Sequence, residues 1–173
     1  MPSGETRVLL QQLQLILENV NANQSLYVPH DPVVRDTANA TGTPYVHTDP
    51  ATVDMVHPQV TVLKVLYSQC DNGPRDAFPH LLIQEAGKTT APVIAATLVH
   101  LGQVDALLNF LGREDQRDKF FIRRGLWQGL FLVLTFEPHR FTDDELARID
   151  TLAGRERRWA LKIVDTISRS RPI

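Results

Sequence analysis

Residues 120–136 read FFIRRGLWQGLFLVLTF and form the most apolar stretch of the chain. Its uncharged part, residues 125–136, is 12 residues long, whereas a helix that spans a bilayer needs about 20 residues. Extending the stretch backward brings in Arg123 and Arg124, and an arginine at the bilayer centre costs about 2.5–3.5 kcal/mol. A helix this short and this apolar is typical of the buried centre of a bundle. The side chains predicted at that centre are Leu126, Trp127, Leu130, Phe131, Val133 and Leu134.

The sequence on both sides of this stretch has a helical pattern. Residues 1–22 carry apolar side chains at three- and four-residue spacing, which indicates an amphipathic N-terminal helix. Residues 59–70 fit a helix begun by Pro58 better than a strand, because the chain offers no strand to pair with them. Residues 113–135 form one helix or two jointed at Gly125, and Thr142 and Glu145 have the capping-box spacing that opens a last helix. The sequence predicts a mainly α, single-domain bundle of about six to eight helices, with residues 59–173 as the helical core domain.

Residues 23–58 interrupt this pattern with a long loop. The segment holds five prolines and many Thr, Asn and Asp residues, so it should be irregular, with a short helical turn around residues 52–56. Loops of this length in compact domains are usually functional or act as linkers. The loop would allow the N-terminal helix to dock far from its origin, including on another subunit. The predicted oligomer interface is the apolar stripe of that helix: Val8, Leu9, Leu13, Ile16, Leu17 and Val20.

Charge is distributed unevenly along the chain. Residues 1–112 hold 5 basic and 10 acidic side chains, whereas residues 113–173 hold 13 basic and 10 acidic ones. Basic residues beside aromatic ones in the C-terminal third would suit a polyanion, by phosphate contact and base stacking. The alternative is a solvated helical surface with interleaved charges of both signs. The predicted nucleic-acid-binding residues are Arg117, Lys119, Arg123, Arg124, Arg155, Arg157, Arg158 and Lys162.

Evidence for catalysis is weak. The loop contains His30, His47 and His57 with Asp31, Asp49 and Asp54, which could supply ligands to zinc or iron. Their spacing matches no established metal site, and His-Asp-Pro and Thr-Asp-Pro also read as turns. Cys70 has no histidine beside it in sequence, and residues 85–90 (EAGKTT) lack the upstream glycine of a phosphate-binding loop. We predict no catalytic residues, no metal ligands and no cofactor.

These observations favour a non-enzymatic protein-interaction or assembly module that forms a homo-oligomer through its N-terminal helix. One alternative is a nucleic-acid-binding structural protein of the coat or nucleocapsid-associated type, which uses the basic C-terminal third. A second alternative is an enzyme with a metal site in residues 30–57. The expected partners are a second copy of the chain, another protein or nucleic acid. A single cysteine and an N-terminus without a secretory signal lead us to expect the cytoplasm or another reducing intracellular compartment.

Overall fold

The computed structural model describes residues 4–20, 58–113, 115 and 119–155, together with the backbone of residues 27–29 and 53–55. Within these residues the chain forms seven α-helices, one 3-10 turn and one two-stranded antiparallel ribbon. The elements in chain order are α1 (Gly4–Glu18), β1 (Tyr27–Pro29), β2 (Val53–Met55), α2 (Pro58–Gln69), α3 (Asn72–Gln84), α4 (Ala91–His100), α5 (Val104–Leu111), α6 (Phe120–Phe136), the 3-10 turn (Pro138–Arg140) and α7 (Asp143–Gly154). The prediction of a mainly α helical bundle is confirmed.

Two helices, α4 and α6, make the most extensive helix pair of the fold. Every residue of α4 from Val93 to Val99 is buried, and so are most residues of α6. The two backbones approach closely because α6 presents glycine at positions 125 and 129. A Cβ atom added at Gly129 would lie 2.4 Å from the Pro92 carbonyl oxygen, and one at Gly125 would lie 2.7 Å from Cβ of Ala91. Small residues at helix contacts allow this approach, and larger ones prevent it.

The predicted centre of the core is largely as expected. Trp127 and Phe131 are buried, and their rings stack with centroids 5.1 Å apart. Leu126, Leu130 and Val133 are also fully buried, whereas Leu134 is only partly buried. The α6 helix runs without a break from Phe120 through Gly125, so the predicted joint at Gly125 is wrong. The predicted start at residue 113 is also wrong, because Arg113 and Lys119 are not helical and the helix begins at Phe120. Packing against α4 holds the backbone in place at Gly125, which offsets the low helix propensity of glycine.

The N-terminal helix α1 packs against α2 and α3 of the same chain. Its buried side chains are Leu9, Leu13 and Leu17, and these belong to the same hydrophobic core as α4 and α6. Within the described residues α1 is thus part of the core. The division of the chain at residues 23–58 stays a prediction.

The helix ends follow the local sequence signals. Thr142 Oγ1 accepts a hydrogen bond from the Glu145 backbone N–H at 3.1 Å, and Glu145 Oε1 accepts one from the Thr142 N–H at 2.8 Å. This reciprocal pair is the predicted capping box at the start of α7. Gly102 follows the C-terminus of α4 with φ of 70°, a conformation that glycine adopts at little cost.

The ribbon corrects one expectation about the long loop. Residues 53–55 form a strand and not a helical turn, because Val53, Asp54 and Met55 pair with Pro29, Val28 and Tyr27. The partner strand lies at the opposite end of the loop, so a local reading of the sequence could not supply it. The helix predicted after Pro58 is confirmed as α2.

Candidate functional site

The predicted nucleic-acid-binding residues divide into three groups. Lys119, Arg124 and Arg155 are exposed. Arg123 is buried. The others, Arg117, Arg157, Arg158 and Lys162, lie outside the described residues.

The placement of Arg123 corrects the prediction that it contacts a partner. Its side chain is 4% exposed, and Nη2 donates a hydrogen bond to the Leu111 carbonyl oxygen at 2.7 Å. Leu111 is the last residue of α5, and the carbonyl groups at a helix C-terminus lack partners within their own helix. A guanidinium group at this position also compensates the negative end of the helix dipole. Arg123 therefore joins α6 to the end of α5, and its charge is not available to a phosphate.

One cationic and aromatic cluster is exposed at the start of α6, and we call it the Phe121 patch. It consists of Phe121, Lys88, Lys119 and Arg124, all of which are exposed. The Lys88 ammonium lies over the Phe121 ring, 5.3 Å from its centroid. The Phe120 ring meets that of Phe121 edge-on, with centroids 5.3 Å apart. The patch joins the loop before α4 to α6, and the sequence did not link Lys88 to this group because 33 positions separate it from Phe121.

Four exposed hydrophobic side chains lie on two neighbouring helices, and we call this set the α1/α2 face. It comprises Val8 and Leu15 of α1 and Val62 and Val65 of α2, which are 54%, 62%, 46% and 50% exposed. The two helices that carry these side chains pack against each other. Leu15 was absent from the predicted interface because it lies off the apolar stripe that faces the core. An apolar residue off the stripe is itself a signal that the sequence contained.

The residues of the predicted oligomer interface have different environments. Leu9, Leu13 and Leu17 are buried within the protomer, Ile16 and Val20 are partly buried, and Val8 is exposed. The buried members contact their own chain in this arrangement. A role for them between subunits would require α1 to exchange between copies, and that role stays a prediction.

A chain of ionisable side chains connects α2, α4 and the segment after α6. Lys64 Nζ lies 3.4 Å from His100 Nδ1, His100 Nε2 lies 2.7 Å from Glu137 Oε2, and Arg140 Nε donates to Glu137 Oε1 at 3.0 Å. Because an ammonium group only donates, Nδ1 accepts and a neutral ring donates from Nε2 to the carboxylate. Amine, imidazole and carboxylate in this order could relay a proton. However, the His100 side chain is 3% exposed and both ring nitrogens are occupied, so the chain of contacts serves to join three elements.

A shallow cleft of about 470 Å³ lies between α5 and α7. Two arginines line it, and each is paired with a carboxylate. Arg148 contacts Asp105 at 2.7 Å, and Arg113 contacts Asp115 at 2.7 Å. The pairing leaves little net charge to attract an anion, and we assign no ligand to the cleft.

The structure gives no support to a metal site among the residues that it describes, where no group of three or more His, Cys, Asp or Glu side chains comes together. The predicted candidates His30, His47, His57, Asp31 and Asp49 lie outside those residues, and Asp54 is described only as backbone in β2. The metal-dependent alternative therefore stays a prediction, which elemental analysis of the purified protein would test. In the part of the chain that the structure describes, no helix is both long and apolar enough to cross a membrane.

Cys70 is expected to react slowly. Its Sγ donates to the Leu66 carbonyl oxygen at 3.2 Å. Burial raises the pKa of the thiol above its ordinary value of 9.0, Arg75 lowers it, and Asp71 raises it. The thiolate is the nucleophilic form, so we expect the pH midpoint of alkylation by iodoacetamide to lie above 9.0 in the native protein.

The urea-unfolded protein is the control for this measurement, and its midpoint should fall near the ordinary value. Because the folded-state pKa is raised, the thiol contributes stability that is present below the unfolded value and is lost as the pH rises through the folded value. The affected window is therefore alkaline. A native midpoint at or below that of the unfolded chain would contradict the prediction.

Comparison with known proteins gives no relative: no protein-family model, curated protein or solved structure matches the chain.

Proposed function

We propose that this protein is a non-enzymatic assembly module that forms a homo-oligomer through the α1/α2 face. One observation carries the proposal. Among the described residues five large hydrophobic side chains are exposed, and four of them lie on these two adjacent helices. Exposed apolar side chains that occur singly are common, whereas their concentration on one side of a molecule marks an interaction surface.

The chemistry of the face favours a second copy of the chain as the partner. Each apolar side chain removed from water contributes about 25 cal/mol per Å² of buried area. Val8 and Leu15 are seven positions apart, so they lie on one side of α1 two turns from each other. In a two-fold dimer the same face supplies both sides of the contact, so no additional complementary surface is required.

Docking of two faces differs from helix exchange in the residues on which it depends. In face docking, α1 stays on its own core and Val8 and Leu15 contact the other copy. In helix exchange, Leu9, Leu13 and Leu17 of one copy would occupy the same sites in the other. Removal of α1 would not separate these arrangements, because Leu13 is fully buried and its loss would damage the core. Substitution of exposed side chains is the sharper test.

We expect the double variant Val8→Gln/Leu15→Gln to lower the mass of the protein in solution towards that of the 19.5 kDa protomer. Multi-angle light scattering over a range of protein concentrations measures this mass. Val62→Gln/Val65→Gln tests the α2 part of the face in the same way. The matched control is Phe121→Gln, which removes the fifth exposed hydrophobic side chain from outside the face and should leave the mass unchanged.

Two results would overturn the proposal. A wild-type protein with the protomer mass at every concentration would show that it does not self-associate. An oligomer whose mass neither double variant changes would exclude the α1/α2 face.

A further inference from the structure

The Phe121 patch combines features that rarely serve the fold itself. Phe121 is 58% exposed, although burying such a ring would be favourable. Lys88, from the loop before α4, places its ammonium over the ring, and two further exposed cations, Lys119 and Arg124, lie two and three positions from Phe121 at the start of α6. The nearest carboxylate to Lys88 in the described sequence, Glu85, accepts a hydrogen bond from Gln14 of α1.

Among the described residues, Phe121 is the one exposed large hydrophobic side chain outside α1 and α2. A protein-binding hot spot normally places its aromatic anchor within an apolar and well-packed surface, and a membrane-inserting helix presents several apolar side chains together. The Phe121 ring, which the partly buried Phe120 ring supports edge-on, has a different complement, namely a planar group that carries negative charge beside it.

We propose that the Phe121 patch binds single-stranded nucleic acid. An unpaired base stacks on the Phe121 ring, while Lys88 and Arg124 contact the flanking phosphates and Lys119 extends the cationic surface. Duplex nucleic acid fits less well, since its base faces are covered by their neighbours in the stack. Single-stranded binding proteins use this combination of a cationic track and aromatic platforms, and it tolerates different sequences because every base has a π face.

The contact between Lys88 and Phe121 can be replaced when a base binds. In the unliganded protein the Lys88 ammonium lies over the Phe121 ring, 5.3 Å from its centroid. A cation and an aromatic ring attract each other at this distance. Lys88 is exposed and has a flexible side chain, so an arriving base can take the ring surface while the ammonium moves to a phosphate. The positive charge stays beside the ring in both states.

Fluorescence anisotropy with a labelled oligothymidylate of about 20 nucleotides tests the proposal. Phe121→Ala should weaken binding by about 5- to 150-fold, which is the effect of losing one stacked base, and Phe121→Trp should retain it. Lys88→Gln/Arg124→Gln should weaken binding and reduce the slope of log K against log salt by about 1.4, which is about 0.7 for each phosphate contact to a single strand. The matched control Arg113→Gln/Arg148→Gln removes the same charge from outside the patch and should bind as the wild type does.

Several outcomes would overturn the proposal. These are no binding by the wild type at low salt, equal binding by Phe121→Ala, and tighter binding to duplex than to the single strand. Sedimentation with vesicles of anionic lipid tests the membrane alternative, and binding to vesicles without binding to the oligonucleotide would also reject the proposal.

All substitutions are at exposed positions, and thermal unfolding of each variant checks that the fold persists. Because the patch shares no residue with the α1/α2 face, failure here leaves the assembly proposal standing.

Discussion

Replacement of Gly129 by alanine is expected to reduce the free energy of unfolding by more than about 3 kcal/mol, at or beyond the upper range for overpacked cores. The added Cβ would lie 2.4 Å from the Pro92 carbonyl oxygen and 2.8 Å from its Cα. Both are backbone atoms, so no side-chain rotation relieves the overlap, and α6 would have to move away from α4. Single domains are stable by about 5–15 kcal/mol. Urea unfolding followed by circular dichroism measures the change.

Two other glycines provide graded controls for this prediction. At Gly125 one atom, Cβ of Ala91 at 2.7 Å, lies within 3.0 Å of an added Cβ, whereas three backbone atoms of Pro92 do so at Gly129. The smaller overlap means that Gly125→Ala should cost less than Gly129→Ala. At Gly73, within α3, an added Cβ meets nothing within 4 Å. Gly73→Ala should therefore stabilise the protein by about 0.4–1 kcal/mol, because alanine lowers the conformational entropy of the unfolded chain. If Gly129→Ala were as stable as Gly73→Ala, the close packing of α4 on α6 would be wrong.

The sequence was sufficient to predict the fold class because its strongest pattern is local. The uncharged and mainly apolar run of residues 125–136 is expected to be buried, and its length is too short for a membrane span. The same argument did not show that α4 shares the centre with α6. The segment of residues 93–99 is short and apolar except for Thr97, and such a run does not reveal which element it packs against. That information lies in the contact between Gly129 and Pro92, which is tertiary.

The surface was predicted less well than the core, for a reason that the arginines illustrate. Arg123 and Arg124 are adjacent in sequence and identical in chemistry, but one residue is about 100° of helical rotation. This rotation places Arg123 against the end of α5 and leaves Arg124 exposed. A count of charges cannot tell which of the two arginines is buried, because that depends on the orientation of α6. Likewise, the meeting of Lys88 with Phe121 depends on how the loop before α4 lies against α6.

Arg123→Met is expected to destabilise the protein by about 1–3 kcal/mol, the cost of leaving a buried carbonyl group without its donor. In the folded chain this guanidinium donates to Leu111 at the C-terminus of α5, where it also compensates the helix dipole. Methionine keeps most of the apolar volume of the side chain and removes the donor. Arg123→Lys should recover only part of the loss, because a lysine ammonium cannot reproduce the planar geometry of a guanidinium group.

Arg124→Met is the matched control, and the pair separates stability from binding. Arg124 is exposed, and interactions of exposed charged groups contribute about 0–1 kcal/mol, so its substitution should change the free energy of unfolding by less than about 1 kcal/mol. If the Phe121 patch binds single strands, Arg124→Met weakens that binding, whereas Arg123→Met leaves it unchanged at temperatures where the variant is folded. Urea unfolding and oligonucleotide anisotropy on the same two proteins give four measurements. Loss of binding without loss of stability in Arg123→Met would contradict the buried position of Arg123 and return it to the surface that contacts nucleic acid.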